Sequence, residues 1–126
     1  MELTEIQMIV AVMFLLQLKH FVADFMLQTD QMVMEKGTYG ARFGIYHSAI
    51  QAFGTFLALA WIHPFLGVVT AVFDFLVHYH VDWAKMNITK FTKWGPTTHP
   101  EFWWLTGFDQ FLHQVTYILL IALFYI

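Results

Sequence analysis

Hydrophobic residues make up 59% of this 126-residue chain and charged residues 12%, about half the charged share of a soluble domain. That is too little charge to cover a globule of this size with water-seeking groups. The formal net charge of −3, with six Lys and Arg residues and no continuous basic patch, excludes nucleic acid as a partner. Cysteine is absent, which removes disulfides, thiol nucleophiles and cysteine-based metal sites.

A membrane-crossing helix needs roughly 20 mostly apolar residues, and the sequence predicts four of them in a single domain spanning residues 1–126. The opening Met-Glu-Leu-Thr-Glu lacks the positive segment of a secretory signal, so the first hydrophobic run is expected to be retained. That run covers about residues 6–27 and carries Lys19, His20 and Asp24 near its end. A polar loop is expected over 28–42, with Asp30, Glu35, Lys36, Gly37 and Gly40. The second span covers about 43–62, and a tight turn follows in which Pro64 is placed to open a helix, since proline suits a first turn. The third span covers about 65–86 and holds Asp74, His78, His80 and Asp82. A second polar loop, 87–101, precedes the fourth span, about 102–126, with Asp109 and His113. The second and fourth runs read as apolar on nearly every face, the signature of a helix in lipid. The expected fold is therefore all-α, a polytopic integral membrane protein built as a bundle of four transmembrane helices.

Orientation follows from the positive charges. Lys19, Lys36, Arg42, Lys85, Lys90 and Lys93 all fall on one side of a four-span topology. That side is expected to be cytoplasmic, with both termini outside. Trp83, Trp94, Trp103 and Trp104 suit an inner aromatic belt, and Trp61 and Tyr125 an outer one.

Ionisable residues inside a span are costly, at least about 2.5–3.5 kcal/mol each on insertion scales, yet this chain has many. His20 and Asp24, His78 and Asp82, and Asp109 and His113 are three pairs at a spacing of four, and residues so spaced share a helix face. His47 joins them from the second span, with Gln51 one turn on. With about 1.5 Å of rise per residue, the stated topology brings all seven to one layer near the cytoplasmic ends. A lone Asp or His in a span is ordinarily a packing hydrogen bond; three pairs of one spacing at one depth are not so ordinary. His63, His80 and His99 fall under the ordinary reading, two in turns and His80 on the wrong face. Asp74 shares the right face one turn deeper and is expected to pair with His78.

Imidazole nitrogen and carboxylate oxygen are ligands for Zn, Mn or Fe, and helical bundles build metal centres from inward carboxylates and histidines. The expected metal ligands are His20, Asp24, His47, His78, Asp82, Asp109 and His113, enough for one or two divalent transition-metal ions. His47 is ligand or general base, and Lys85, with Lys19, is an expected contact for an anionic group such as a phosphate.

The segment Lys19-His20-Phe21-Val22-Ala23-Asp24-Phe25-Met26-Leu27-Gln28-Thr29-Asp30 resembles the K-H-F-x-A-D-F-x-L-Q-T-D opening of the domain-of-unknown-function family 3307. His78-x-x-x-Asp82-Trp83-x-Lys85 is similar to its H-x-x-x-D-x-x-K segment, and Asp109-Gln110-x-x-His113 to its final D-Q-x-x-H. The chain departs from the pattern at the second span, where His47 and Gln51 stand in place of H-x-x-x-H. The resemblance implies a small polytopic membrane protein of bacteria or their phages. It brings no activity with it, although the pattern is similar to that of small membrane proteins labelled metal-dependent hydrolases.

The leading expectation is a metal-dependent membrane hydrolase acting on a lipid or lipid-linked phosphate at the cytoplasmic leaflet. One alternative is a metal or proton transporter, which would need polar residues continuing outward, or a path formed in a homo-oligomer. The other is a non-catalytic membrane partner, for instance a phage-encoded modulator of a host membrane complex.

Overall fold

The computed structural model describes residues 3–125, Tyr125 by its backbone alone. The outer-belt role of Tyr125 and the end of the fourth span at Ile126 lie outside the described residues. Among those described there is no strand. The elements are α1 (Glu5–Phe21), α2 (Asp30–Glu35), α3 (Arg42–Leu59), α4 (Pro64–Thr92) and α5 (Pro100–Tyr125).

Each start has a local cause. The Thr4 hydroxyl accepts from the Gln7 N–H while the Gln7 side chain accepts from the Thr4 N–H, so two otherwise orphaned donors are satisfied as α1 begins. Past Phe21 the helix widens into a π-helical turn, Val22–Met26, closed by Leu27 N–H donating to the Val22 carbonyl. Such turns are frequent at functional sites, and this one carries Asp24. Pro64 does open α4, and His63 caps it by accepting the Leu66 N–H on Nδ1.

Three boundaries differ from the sequence reading. The 28–42 segment is not only loop: it contains α2, capped by the Thr29 hydroxyl. The second helix ends at Leu59 rather than near 62, because α4 folds back tightly at that point. A Cβ on Gly67 would lie 2.8 Å from Ala60 Cα, an approach only glycine permits. The third helix runs on to Thr92, well past 86, because polar residues can prolong a helix beyond its apolar stretch. Asn87, Thr89 and Thr92 each donate to a carbonyl four residues earlier.

The four long helices form a ring. α1 lies against α3 and α5, α4 lies against the same two, and the diagonal pairs do not touch through their backbones. The second and fourth runs, read as apolar on nearly every face, keep one polar face, which is turned inward. The buried side of α3 includes His47, Ser48, Gln51 and Thr55, and α5 turns Asp109, His113 and Thr116 inward. Among the described residues thirteen polar or charged ones are buried against ten hydrophobic ones, while Phe14, Phe53, Leu57, Phe73, Leu76, Phe111 and Ile118 face outward. A water-soluble bundle has the opposite distribution.

Among the described residues three helices are long and apolar enough to cross a membrane: Glu5–Met26, Pro64–Thr92 and Pro100–Phe124. An apolar core closes one end of the ring, made of Val12, Leu16, Ala58, Leu59, Tyr117, Leu120 and Ile121. The polar residues fill the other end.

Candidate metal centre

Asp24, His47 and His78 come from the π-helical turn, α3 and α4, and their ligand atoms meet at the ring axis. Asp24 Oδ1 lies 3.1 Å from His47 Nε2, the two Nε2 atoms are 3.1 Å apart, and Asp24 Oδ1 is 3.8 Å from His78 Nε2. Ligands at about 2.0–2.2 Å from a tetrahedral Zn²⁺ stand roughly 3.3–3.6 Å from one another, so the spacing brackets that of a metal site. A second triad shares His78: Asp82 Oδ2 is 3.3 Å from His78 Nε2, and Asp82 Oδ1 is 3.3 Å from His113 Nε2. The His78 and His113 rings stack with centroids 4.1 Å apart. In both triads all three ligand atoms fall within 4.8 Å and all three residues are buried.

The donor set can be tested by counting protons. A neutral imidazole carries one N–H, yet His47 Nε2 faces Asp24 Oδ1, His78 Nε2 and Asp82 Oδ2 within 3.4 Å. One hydrogen cannot serve three acceptors. With the proton on Nδ1, the Nε2 lone pairs converge on carboxylate oxygens, an arrangement that a cation between them relieves. The residues therefore fit a divalent ion. One detail runs against the usual pattern: His47 Nδ1 and His78 Nδ1 are buried without a hydrogen-bond partner, whereas a ligating imidazole normally has its second nitrogen bonded.

Five of the seven expected ligands thus belong to the triads: Asp24, His47, His78, Asp82 and His113. The other two stand behind them. His20 has both nitrogens engaged, Nδ1 with the Tyr117 hydroxyl at 2.6 Å and Nε2 with Gln110 Oε1 at 2.8 Å, and it flanks Asp24 Oδ2 at 3.2 Å. Asp109 sits 3.5 Å from His113 and 3.7 Å from Lys85. His20 and Asp109 lie outside both triads, each against one of their members.

Lys19 and Asp74 do not take their expected places. Lys19 is no anion contact: its ammonium lies inside the ring, 2.7 Å from Asp74 Oδ2 and 2.8 Å from Gln51 Oε1. Asp74 consequently pairs with Lys19 and with the Thr55 hydroxyl, at 2.6 Å, and not with His78. Gln51 passes this pair on to the centre, donating to Asp24 Oδ1 at 2.7 Å. His80, His63 and His99 stay outside, as expected. His80 is exposed and bonds Tyr39, and the other two close turns.

Lys36 is the residue the sequence most undervalued. It reaches from the end of α2 to Asp82 Oδ2 at 2.8 Å. Its segment is strapped onto α4 and α3: Asn87 donates to the Gly37 carbonyl, the Gly40 N–H donates to the Tyr79 hydroxyl, and Glu35 accepts from the Phe43 N–H at the start of α3. Lys36, Lys85, Asp24, Gln28, Thr106, Asp109 and Gln110 border a cleft of about 130 Å³ beside the triads.

The chain belongs to the family described as "Protein of unknown function (DUF3307)", whose family model matches residues 12–126. No curated protein and no solved structure matches the chain.

Proposed function

We propose that this protein is a four-span membrane hydrolase whose His/Asp centre holds one or two divalent transition-metal ions and cleaves a lipid or lipid-linked phosphate. In this reading α3 is the fourth crossing helix, its interior polar face hidden in the ring. The loop ends with Lys90 and Lys93 lie in the cytoplasm of a bacterial cell, and both termini lie outside. Trp83, Trp94, Trp103 and Trp104 then fall near the inner boundary and Trp61 near the outer one.

The observation that carries the reading is the convergence of Asp24, His47, His78, Asp82 and His113 on one axis, next to a cleft edged by two lysines. A bound divalent ion supplies Lewis acidity and activates water for attack on phosphorus. Asp24, His47 and His78 would hold one ion, or His78, Asp82 and His113 would; His78 Nε2 has one lone pair, so a second ion would rest on Asp82 and His113 without it. His47 is fully enclosed, so it serves as ligand and not as the base. Asp109 borders the cleft and is the carboxylate positioned to take a proton from water. Lys85, beside it, and Lys36 face the phosphate oxygens.

The transporter reading has one supporting feature, a polar line from Asp24 through Gln51 and Lys19 to Asp74 and Thr55. Val12, Leu16, Leu59 and Leu120, all fully buried, pack in the apolar core at the other end of the ring. The apolar plug favours a site open to one side. The test is release of inorganic phosphate from phosphatidic acid and from a polyprenyl diphosphate by protein in nanodiscs. Release is expected with Zn²⁺ or Mn²⁺, lost with chelator and lost in Asp109→Asn. Metal or proton flux in liposomes, without phosphate release, would overturn the reading.

A further inference from the structure

A groove of about 250 Å³ runs along the outside of the ring between α4 and α5. Its walls are Val81, Ala84 and Ile88 from α4 and Leu105, Phe108 and Leu112 from α5. On each helix these positions repeat at threes and fours, so each presents one continuous apolar face. From Val81 to Ile88 the groove extends roughly 10 Å.

Its inner wall is not apolar. Lys85 and Asp109, 3.7 Å apart, border both this groove and the polar cleft. One ion pair thus separates a hydrocarbon-lined channel on the lipid side from a pocket edged by Lys36 and Lys85 on the metal side.

We infer that the α4–α5 groove binds a single hydrocarbon chain of an anionic phospholipid, whose phosphate passes the Lys85–Asp109 pair into the cleft. The inference rests on the proposed hydrolase reading for what happens to that phosphate, but not for the seating of the chain. Two features choose the occupant. The groove is continuous with a lysine-edged cleft, which suits an amphiphile with an anionic head and an apolar tail. It also lies on a helix face that looks outward, where lipid is the abundant apolar partner. A second copy of the chain would need no such junction.

The experiment uses the full chain in nanodiscs doped with phosphatidic acid bearing a diazirine in its acyl chain. After photolysis, adducts are mapped by mass spectrometry. Labelling is expected to concentrate at least fivefold at Val81, Ala84, Leu105 and Phe108 over outward residues such as Phe14, Leu57 and Ile118. Excess phosphatidic acid should suppress it, and excess phosphatidylcholine should not. Ala84→Trp should fill the groove and reduce these adducts several-fold, and Lys85→Gln should abolish the preference for phosphatidic acid. Even labelling over all outward faces would overturn the inference. So would a cross-link between two copies through Ala84. Because the readout is an adduct, groove labelling without turnover would sink the hydrolase and leave the groove standing; turnover with even labelling would do the reverse.

Discussion

Asp82 meets more of the centre than any other side chain: its oxygens lie within 3.4 Å of His47, His78 and His113, and Lys36 holds it from the loop side. Among the described residues no lysine lies within salt-bridge distance of Asp24, which is held instead by Gln51, His20 and His47. Neutralising Asp24 is therefore the cleaner substitution. Asp24→Asn should lower metal content at least tenfold while the melting temperature in detergent shifts little; unchanged metal by elemental analysis would remove Asp24 from the ligand set. His20→Ala acts one step back, through Asp24. It should weaken metal affinity by roughly 10–100-fold, the range for residues that orient a ligand, and a loss no larger than that of an exposed control such as Thr97→Ala would contradict its role.

At the scale of elements, the i, i+4 pairs on the first, third and fourth long helices were legible because a helix fixes which side such pairs share. The inward direction of each face followed from the cost of leaving them in lipid. What the sequence hid lay in long side chains and local backbone. Lys19 and Lys36 read as boundary charges, since four rotatable carbons give no hint of direction. Lys19 instead crosses the ring to Asp74, its stem lying so close to α3 that a Cβ on Gly54 would stand 3.0 Å from Lys19 Cβ. Nor does apolar periodicity reveal the π-helical turn that aims Asp24, or α2, whose six residues carry no repeat.

The Lys19–Asp74 pair yields a sharp expectation. Removing one member of a buried pair costs about 3–5 kcal/mol, while replacing both with apolar residues is often neutral or better. Lys19→Met should destabilise by about that amount, and Lys19→Met with Asp74→Leu should recover most of it. Unfolding in mixed micelles measures both, and a double variant no better than the single one would mean the pair does not act as a unit.

For the whole molecule, the polar interior and apolar exterior followed from composition, but the number of crossing helices depends on α3. It is not among the helices long and apolar enough to cross, and its inward face of His47, Ser48, Gln51 and Thr55 is polar. The absence of cysteine makes topology directly measurable. In intact spheroplasts an impermeant maleimide should label Trp61→Cys beyond α3, and Thr38→Cys before it only after the membrane is opened. The opposite pattern would invert the orientation, and labelling of both in intact spheroplasts would remove one crossing.

The metal decides the rest. Protein purified without chelator and exchanged free of loose ions should carry one to two equivalents of Zn, Mn or Fe by elemental analysis. X-ray absorption should show nitrogen and oxygen ligands alone, and the metal should be lost in His78→Ala, the residue common to both triads. Protein that binds no transition metal, even when purified in its presence, would contradict the account at its centre.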